Sequence, residues 1–176
     1  MKKLLILYAS KRGSTAEVAT FIGRILQEQE LSVDVVDADN FTGDIHSYNA
    51  VILGTAIYKG VWMSSLWRTV RRIEDQFKDK PVWGFSLCMR VLEADGYDYA
   101  FANYLPHNIL ERLNLKNYRF FGGRLQDLSL GLRQEFHETY DGMIGRKEGD
   151  YRDWNAIRAW ALDIATTITR ESDPVT

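Results

Sequence analysis

Short apolar runs alternate with longer amphipathic stretches along this chain. Five runs rich in branched and aromatic residues are bounded by turns and predict strands at 3–8, 32–37, 50–54, 82–88 and 118–123. The first, third and fourth runs are almost wholly apolar, as expected for strands covered on both faces. The second run alternates, with Val33 and Val35 facing one way and Asp34 the other, so it is expected near an edge of the sheet.

The stretches between these runs have helical periodicity. Apolar residues recur on one face within 18–26, at Leu66, Val70, Ile73 and Phe77, and within 154–170, where Asp153 is placed as the N-cap. Pro106 predicts a broken helix in 97–113, because proline favours the first turn of a helix and disrupts its interior. Strands that alternate with helices in this way predict an α/β fold with a parallel sheet.

Composition and charge restrict the class of protein. The chain has 176 residues, 45% of them hydrophobic, and no repeat or linker, which predicts a single domain over 1–176. A net charge of −2 argues against nucleic acid as a partner. The single cysteine and the short apolar run at the N-terminus predict no disulfide, signal peptide or membrane span, and therefore a cytoplasmic protein. The polar, glycine-containing stretch 125–150 is predicted to be a long, partly helical insertion.

The loop after the first run has the residues of a phosphate cradle. It comprises Ser10, Lys11, Arg12, Gly13, Ser14 and Thr15 and opens directly into the first amphipathic stretch. Hydroxyls, a glycine that tolerates positive φ and the free N–H groups of a helix start together suit a phosphate. The alternative is a plain helix cap, in which Ser10 or Ser14 satisfies those N–H groups and nothing binds.

Two further loops are expected beside this cradle, since ligands of doubly wound sheets sit outside the carboxyl ends of the strands. Small residues at Thr55, Ala56 and Gly60 would let the backbone approach a flat ligand, on whose ring Tyr58 or Trp62 would stack. Tyr58 is favoured for this role, because Trp62 adjoins the apolar face that begins at Leu66. A flavin fits this description.

Several other chemistries are not supported by the sequence. It contains neither GxxxxGK[ST] nor GxGxxG, and Cys88 replaces the second glycine of the hydrolase motif GxSxG in 84–88. The three histidines lie apart from any carboxylate or cysteine set with metal-ligand spacing, so no metal site is predicted. Cys88 ends an apolar run and is expected to be a buried apolar residue rather than a reactive thiol.

These motifs together resemble the flavodoxin-like family that includes menaquinone-dependent protoporphyrinogen dehydrogenase. The opening segment 4–15 is similar to the strand and phosphate loop of that family, and 53–60 is similar to its flavin-ring loop. Segments 121–125 and 151–154 resemble the end of its fifth strand and the start of its last helix. The resemblance implies a flavodoxin-like three-layer sandwich, with a five-stranded parallel sheet in the order 2-1-3-4-5 and helices on both faces.

The resemblance also implies non-covalent FMN as the cofactor. The implied binding residues fall in three loops: Ser10, Lys11, Arg12, Gly13, Ser14 and Thr15 for the phosphate, and Thr55, Ala56, Ile57, Tyr58, Lys59, Gly60, Ser86, Leu87, Cys88, Met89 and Arg90 around the ring. Lys11 and Arg12 depart from ordinary carrier flavodoxins, which bind the phosphate with neutral groups. No catalytic side chain is predicted, because the flavin itself supplies the redox chemistry.

Two functions follow from the resemblance. One is an FMN-dependent oxidoreductase of haem biosynthesis, which oxidises the tetrapyrrole protoporphyrinogen IX, passes electrons to a quinone and contacts the inner face of the cell membrane peripherally. The alternative is an electron-transfer protein that serves redox partner proteins and has no substrate of its own. The mixed charge of 125–150 departs from the basic, aromatic insertion of the dehydrogenases, whereas an overall charge of −2 departs from the acidic surface of carriers.

Overall fold

The computed structural model describes residues 1–125 and 147–170. Its strands are β1 (Lys3–Ala9), β2 (Ser32–Asp37), β3 (Ala50–Tyr58), β4 (Val61–Trp62), β5 (Pro81–Leu87), β6 (Asn114–Phe121), β7 (Arg124–Leu125) and β8 (Gly149–Asp150). Its helices are α1 (Ser14–Gln27), α2 (Ser64–Arg72), α3 (Gly96–Asn103), α4 (His107–Leu110) and α5 (Trp154–Arg170), with 3₁₀ turns at Glu74–Phe77 and Met89–Leu92. Most of the predicted insertion, 126–146, lies outside the described residues.

The central sheet is parallel except for one short strand. Its order is β2-β1-β3-β5-β6, and β4 pairs antiparallel with β3. The five parallel strands therefore follow the predicted order 2-1-3-4-5, and β2 lies at an edge, as its alternating pattern indicates. A separate two-stranded ribbon, β7 with β8, pairs Arg124 with Asp150. The flavodoxin-like α/β fold is confirmed.

Strand alternation divides the core into two layers, one on each face of the sheet. Leu4 and Ile6 face α1 and α5, whereas Leu5 and Leu7 face α2, α3 and α4. All four leucine and isoleucine side chains are fully buried. Burial on both faces explains why β1 has a continuous apolar sequence, and it leaves the loops at the strand ends to form a site.

The helix boundaries follow the local sequence signals closely. The N–H of Ala156 donates a hydrogen bond of 2.9 Å to Oδ1 of Asp153, which confirms the predicted N-cap of α5. The predicted break also occurs, since α4 begins directly after Pro106. Within 1–125 and 147–170, none of the helices combines the length and the apolar character that a membrane span requires.

Three boundaries differ from the sequence prediction. Strand β3 continues to Tyr58 and turns back into β4, where the pattern predicts a loop. Helix α2 ends at Arg72, and the buried Phe77 belongs to the following 3₁₀ turn. Strand β6 begins at Asn114 rather than near Tyr118, because its polar first half pairs only with β5 and needs no apolar alternation.

Candidate functional site

A cavity lies at the carboxyl ends of β1, β3 and β5. It holds about 710 Å³ of empty space, counting its opening to solvent. Its walls come from four segments that are remote in sequence: Ser10, Lys11, Arg12, Ser14 and Thr15; Ala56, Ile57 and Tyr58; Leu87, Cys88 and Met89; and Gly123, Arg124 and Leu125. The structure thus brings together eleven of the residues that the sequence predicts for cofactor binding.

The first wall is the start of α1. Gly13 precedes the helix with φ +85°, a left-handed conformation in which glycine is favoured, and no atom lies within 4 Å of where its Cβ would be. The N–H of Glu17 donates to the carbonyl of Gly13 at 2.9 Å, so the N–H groups before Glu17 have no acceptor within the helix. This turn therefore presents several backbone donors to the cavity.

Ser10 separates the two interpretations of this loop. The N-cap residue of α1 is Gly13, which has no side chain, and among the described residues the hydroxyl of Ser10 bonds to none of the free N–H groups of α1. The hydroxyl of Ser10 is buried and has no hydrogen-bond partner in the described part of the chain. A buried hydroxyl without a partner is costly, and its place beside free helix N–H groups fits a bound phosphate.

The second wall is the end of the β3–β4 hairpin. Both turn residues have positive φ, +55° at Lys59 and +74° at Gly60, as a type I′ hairpin turn requires. The half-buried Tyr58 lines the cavity, whereas Trp62 is buried and stacks on Tyr118, with ring centroids 6.2 Å apart. This arrangement agrees with the choice of Tyr58 over Trp62 for the cavity.

Thr55 supports this hairpin instead of lining the cavity. Its side chain is fully buried, and its Oγ1 accepts a hydrogen bond of 3.2 Å from the N–H of Met63. The same hydroxyl donates to the carbonyl of Ala56 at 3.1 Å. These two bonds fix the strand that presents Ala56 and Tyr58 relative to the start of α2.

The third wall follows β5. Burial raises the pKa of the Cys88 thiol to about 11, so the thiol is protonated at neutral pH. Ser86 lies behind this wall and forms a buried hydrogen bond with the hydroxyl of Tyr118. Burial also raises the pKa of Tyr118. Cys88 therefore contributes apolar surface, and Ser86 belongs to the core.

Arg90 turns away from the cavity toward α3. Its guanidinium contacts the carboxylate of Asp95 at 3.3 Å and lies 4.6 Å from the centre of the Tyr99 ring. Of the residues predicted to bind the cofactor, the following six do not line the cavity: Gly13, Thr55, Lys59, Gly60, Ser86 and Arg90. Gly13 and the Lys59–Gly60 turn shape the backbone beside it.

The fourth wall comes from residues that the sequence motifs do not identify as ligands. Gly123, Arg124 and Leu125 follow β6 and enter the cavity through the β7–β8 ribbon. Arg124 forms a two-point ion pair with Glu17 of α1, through Nη1 to Oε2 at 3.1 Å and Nη2 to Oε1 at 2.7 Å. The acidic residue in the first turn of α1 is the one sequence signal that could have pointed to this contact.

Arg152 also contacts the first turn of α1. Its side chain is only 2% exposed, and its Nε and Nη2 contact the Asp150 carboxylate at 2.7 and 2.6 Å. Nη1 donates to Glu17 at 2.8 Å and to the carbonyl of Ser14 at 3.3 Å. Hydrogen bonding from Arg152, with a smaller contribution from Arg124, lowers the pKa of Glu17. The first turn of α1 is thereby tied to the β7–β8 ribbon.

Comparison with known proteins agrees with this geometry. The Flavodoxin domain family matches residues 5–137. A segment of 56 residues is 41% identical to the probable flavodoxin 1 of Bacillus subtilis and covers 31% of this chain. That segment spans 35% of the length of the Bacillus protein.

Solved structures share the fold at low sequence identity. Flavodoxin of Fusobacterium nucleatum, solved bound to flavin mononucleotide, superposes with a TM-score of 0.53 at 17% identity, over 97% of this chain and 99% of its own. The rubredoxin oxygen:oxidoreductase of Desulfovibrio gigas gives a TM-score of 0.54 at 13% identity, over 99% of this chain and 38% of that protein. Because the family match covers most of the chain and the fold agrees, the chain belongs to the flavodoxin domain family.

Proposed function

We propose that this chain binds FMN non-covalently in the cavity and transfers electrons between redox partners. The observation that carries the proposal is the buried hydroxyl of Ser10, which has no hydrogen-bond partner among the described residues and precedes the free N–H groups of α1. The chain around it matches a flavodoxin domain. Phosphate is the ligand group that satisfies such donors together. The electron-transfer role is supported by the family match and by the flavodoxin relative in Bacillus subtilis.

The proposed binding mode assigns each wall a part of the ligand. Ser10 to Thr15 hold the phosphate, and the ring lies between the Ala56–Tyr58 wall and the Leu87–Met89 wall. Behind or beside these walls lie Thr55, Lys59, Gly60 and Ser86. Arg90 takes no part in this binding mode, because its guanidinium contacts Asp95 and Tyr99. The half-buried Tyr58 offers an aromatic face to a planar ring.

FMN, when bound, supplies hydride or single-electron transfer at its ring. The chain's own contribution is to bind and orient that ring and to exclude water from its inner face, which the buried Ile57, Leu87 and Cys88 do. The protonated Cys88 thiol is not suited to act as a base at neutral pH.

A second candidate function is favoured by the charge at the mouth of the cavity. Lys11, Arg12 and Lys59 are exposed and basic, and they would attract an anionic group. Oxidation of protoporphyrinogen IX with a quinone acceptor fits this charge, because the propionates of a tetrapyrrole are anionic. Peripheral contact with the inner face of the cell membrane is part of this second hypothesis, whereas the cytoplasmic location predicted from the sequence is compatible with either function.

One experiment separates these functions. The purified protein is loaded with FMN and desalted, its absorbance spectrum is recorded, and it is then reduced anaerobically with protoporphyrinogen IX or dithionite and reoxidised with a quinone. We expect one retained FMN per chain, reduction by dithionite and no turnover of protoporphyrinogen. Turnover between protoporphyrinogen and quinone would support the second candidate instead. Loss of the flavin on desalting, with no affinity by titration, would exclude both.

A further inference from the structure

Arg124 has hydrogen-bonding capacity that the described residues do not use. Its ion pair with Glu17 occupies one N–H of Nη1 and one of Nη2, whereas a guanidinium has five N–H donors. Its Nε is buried and has no partner in 1–125 and 147–170. A buried donor of a charged group costs free energy when it has no acceptor, so Nε of Arg124 is expected to bind one.

The position of Arg124 restricts what that acceptor is. Arg124 lines the cavity, and its carboxylate partner Glu17 belongs to the same helical turn that presents Ser14 and Thr15 to the cavity. The guanidinium is therefore held at the α1 end of the cavity, near the proposed phosphate cradle.

The charge around this turn also favours an anion. Glu17 by itself would repel a phosphate bound at the start of α1, but two arginines, Arg124 and Arg152, contact its carboxylate. Arg124 and Arg152 together balance Glu17 and Asp150. The nearby cavity residues Lys11 and Arg12 then add two positive charges, which match the charge of about −2 on a phosphate monoester.

We propose that Arg124 is a specificity-determining residue of the flavin site, which donates hydrogen bonds to the ligand phosphate and makes the site select FMN over riboflavin. This inference rests on the proposed binding of FMN. Arg152 acts through Glu17 and the carbonyl of Ser14 as a positioning residue. Because its side chain is buried and all three guanidinium nitrogens donate hydrogen bonds, it holds the first turn of α1, and with it the Glu17 carboxylate that Arg124 contacts, in place.

The test compares two ligands that differ only in the phosphate. Dissociation constants for FMN and for riboflavin are measured by fluorescence quenching in the wild type, Arg124→Gln and Arg124→Lys. The matched control is Arg112→Gln, which removes another arginine that pairs with a glutamate, Glu74, at 2.8 Å but does not line the cavity. Circular dichroism verifies the fold of each variant.

We expect Arg124→Gln to raise the Kd for FMN about tenfold and to leave that for riboflavin unchanged. Arg124→Lys keeps the charge but loses Nε, so its Kd for FMN should lie between those of the wild type and Arg124→Gln, and Arg112→Gln should behave as wild type. Equal weakening of both flavins, or no weakening of either, would overturn the role of Arg124 while leaving FMN binding intact. A wild-type protein that binds neither flavin would overturn the proposed function, and this assignment with it.

Discussion

The Nζ of Lys11 lies 4.0 Å from the centre of the Tyr58 ring, so the first loop and the β3–β4 hairpin meet across the cavity. Such a cation–π contact orients both side chains and keeps the ring near the loop that precedes α1. It joins the wall proposed for the phosphate to the wall proposed for the flavin ring. Tyr58 therefore lies close to both of these walls.

Replacement of Tyr58 tests the ring wall. We expect Tyr58→Leu to raise the Kd for FMN about tenfold, since an aromatic stacking surface is lost, and to change the visible flavin spectrum. Tyr97→Leu removes an aromatic ring that packs on Phe120 and is the control, with no change in FMN affinity. A spectrum and affinity identical to wild type in Tyr58→Leu would move the stacking role to another residue.

The hydroxyl of Ser10 offers a test that separates binding from stability. We expect Ser10→Ala to weaken FMN binding by about 1 kcal/mol, the net value of one hydrogen bond, without destabilising the flavin-free protein. The Ser10 hydroxyl has no hydrogen-bond partner in the part of the chain that the structure describes. Its removal therefore breaks no hydrogen bond there when flavin is absent. Isothermal titration and thermal melts measure the two quantities.

The control for Ser10 is a buried hydroxyl that does have a partner. Thr69 donates to the carbonyl of Ala38 at 3.0 Å, so Thr69→Val should lower the free energy of unfolding by about 1 kcal/mol and leave FMN binding unchanged. A marked loss of stability in flavin-free Ser10→Ala would contradict the inference that this hydroxyl is reserved for a ligand.

Because of the ion pairs of Glu17, we expect the stability of the fold to decrease at acidic pH. Arg152, and to a lesser extent Arg124, lowers the pKa of Glu17 below its ordinary value of 4.5, and Arg152 likewise lowers the pKa of Asp150 below 3.8. A carboxyl whose pKa is lower when folded stabilises the protein above its ordinary pKa, and this stabilisation is lost as pH falls through the folded value. The melting temperature of the wild type should therefore fall more steeply than that of Glu17→Gln as pH drops from 5 to 3.

Thermal melts between pH 7 and pH 3 measure this difference. Asp39→Asn is the control, since Asp39 forms only a loose exposed pair with Arg68, at 3.7 Å, and pairs of that kind contribute little. Its profile should run parallel to that of the wild type. Parallel profiles for the wild type and Glu17→Gln would mean that the arginine contacts do not stabilise the fold.

Gly54 tests how tightly β3 packs against β5. A Cβ at this position would lie 2.3 Å from Cζ of Phe85, whose side chain is fully buried. We expect Gly54→Ala to lower the free energy of unfolding by about 1–3 kcal/mol, because a closely packed core cannot move aside. Gly43→Ala, whose nearest side-chain atoms lie at 4.0 Å, should be close to neutral in the same denaturant titrations. Equal stability of the two variants would show that the ring of Phe85 shifts freely.

The fold could be predicted from the sequence because burial dictates its pattern. β1 lies between two other strands and two helical layers, so Leu4, Leu5, Ile6 and Leu7 must all be apolar. Helix α1 begins at Ser14 after a glycine with positive φ, and α5 begins after the capping Asp153, both of which are local signals. These patterns predict a parallel α/β sheet, whereas its strand order is what the resemblance to the flavodoxin-like family implies.

The β3–β4 hairpin was not predictable in the same way. The sequence predicts a loop after Gly54, but β3 continues to Tyr58 and Lys59 adopts φ +55°, which few non-glycine residues do. Pairing with Val61 and the bonds of Thr55 stabilise this turn, and both depend on a returning strand that has no pattern of its own.

By itself, the sequence determined the layers of the fold, the family and the position of the loop that we propose holds a phosphate, because these depend on periodicity and on residues adjacent in the chain. Only the tertiary structure decided which side chains face the cavity. Arg124 and Arg152 meet Glu17 from positions 107 and 135 residues away, and Ser86 is withdrawn from the cavity to pair with Tyr118. Contacts between distant segments are set by packing of the whole sheet, and no local pattern of residues encodes them.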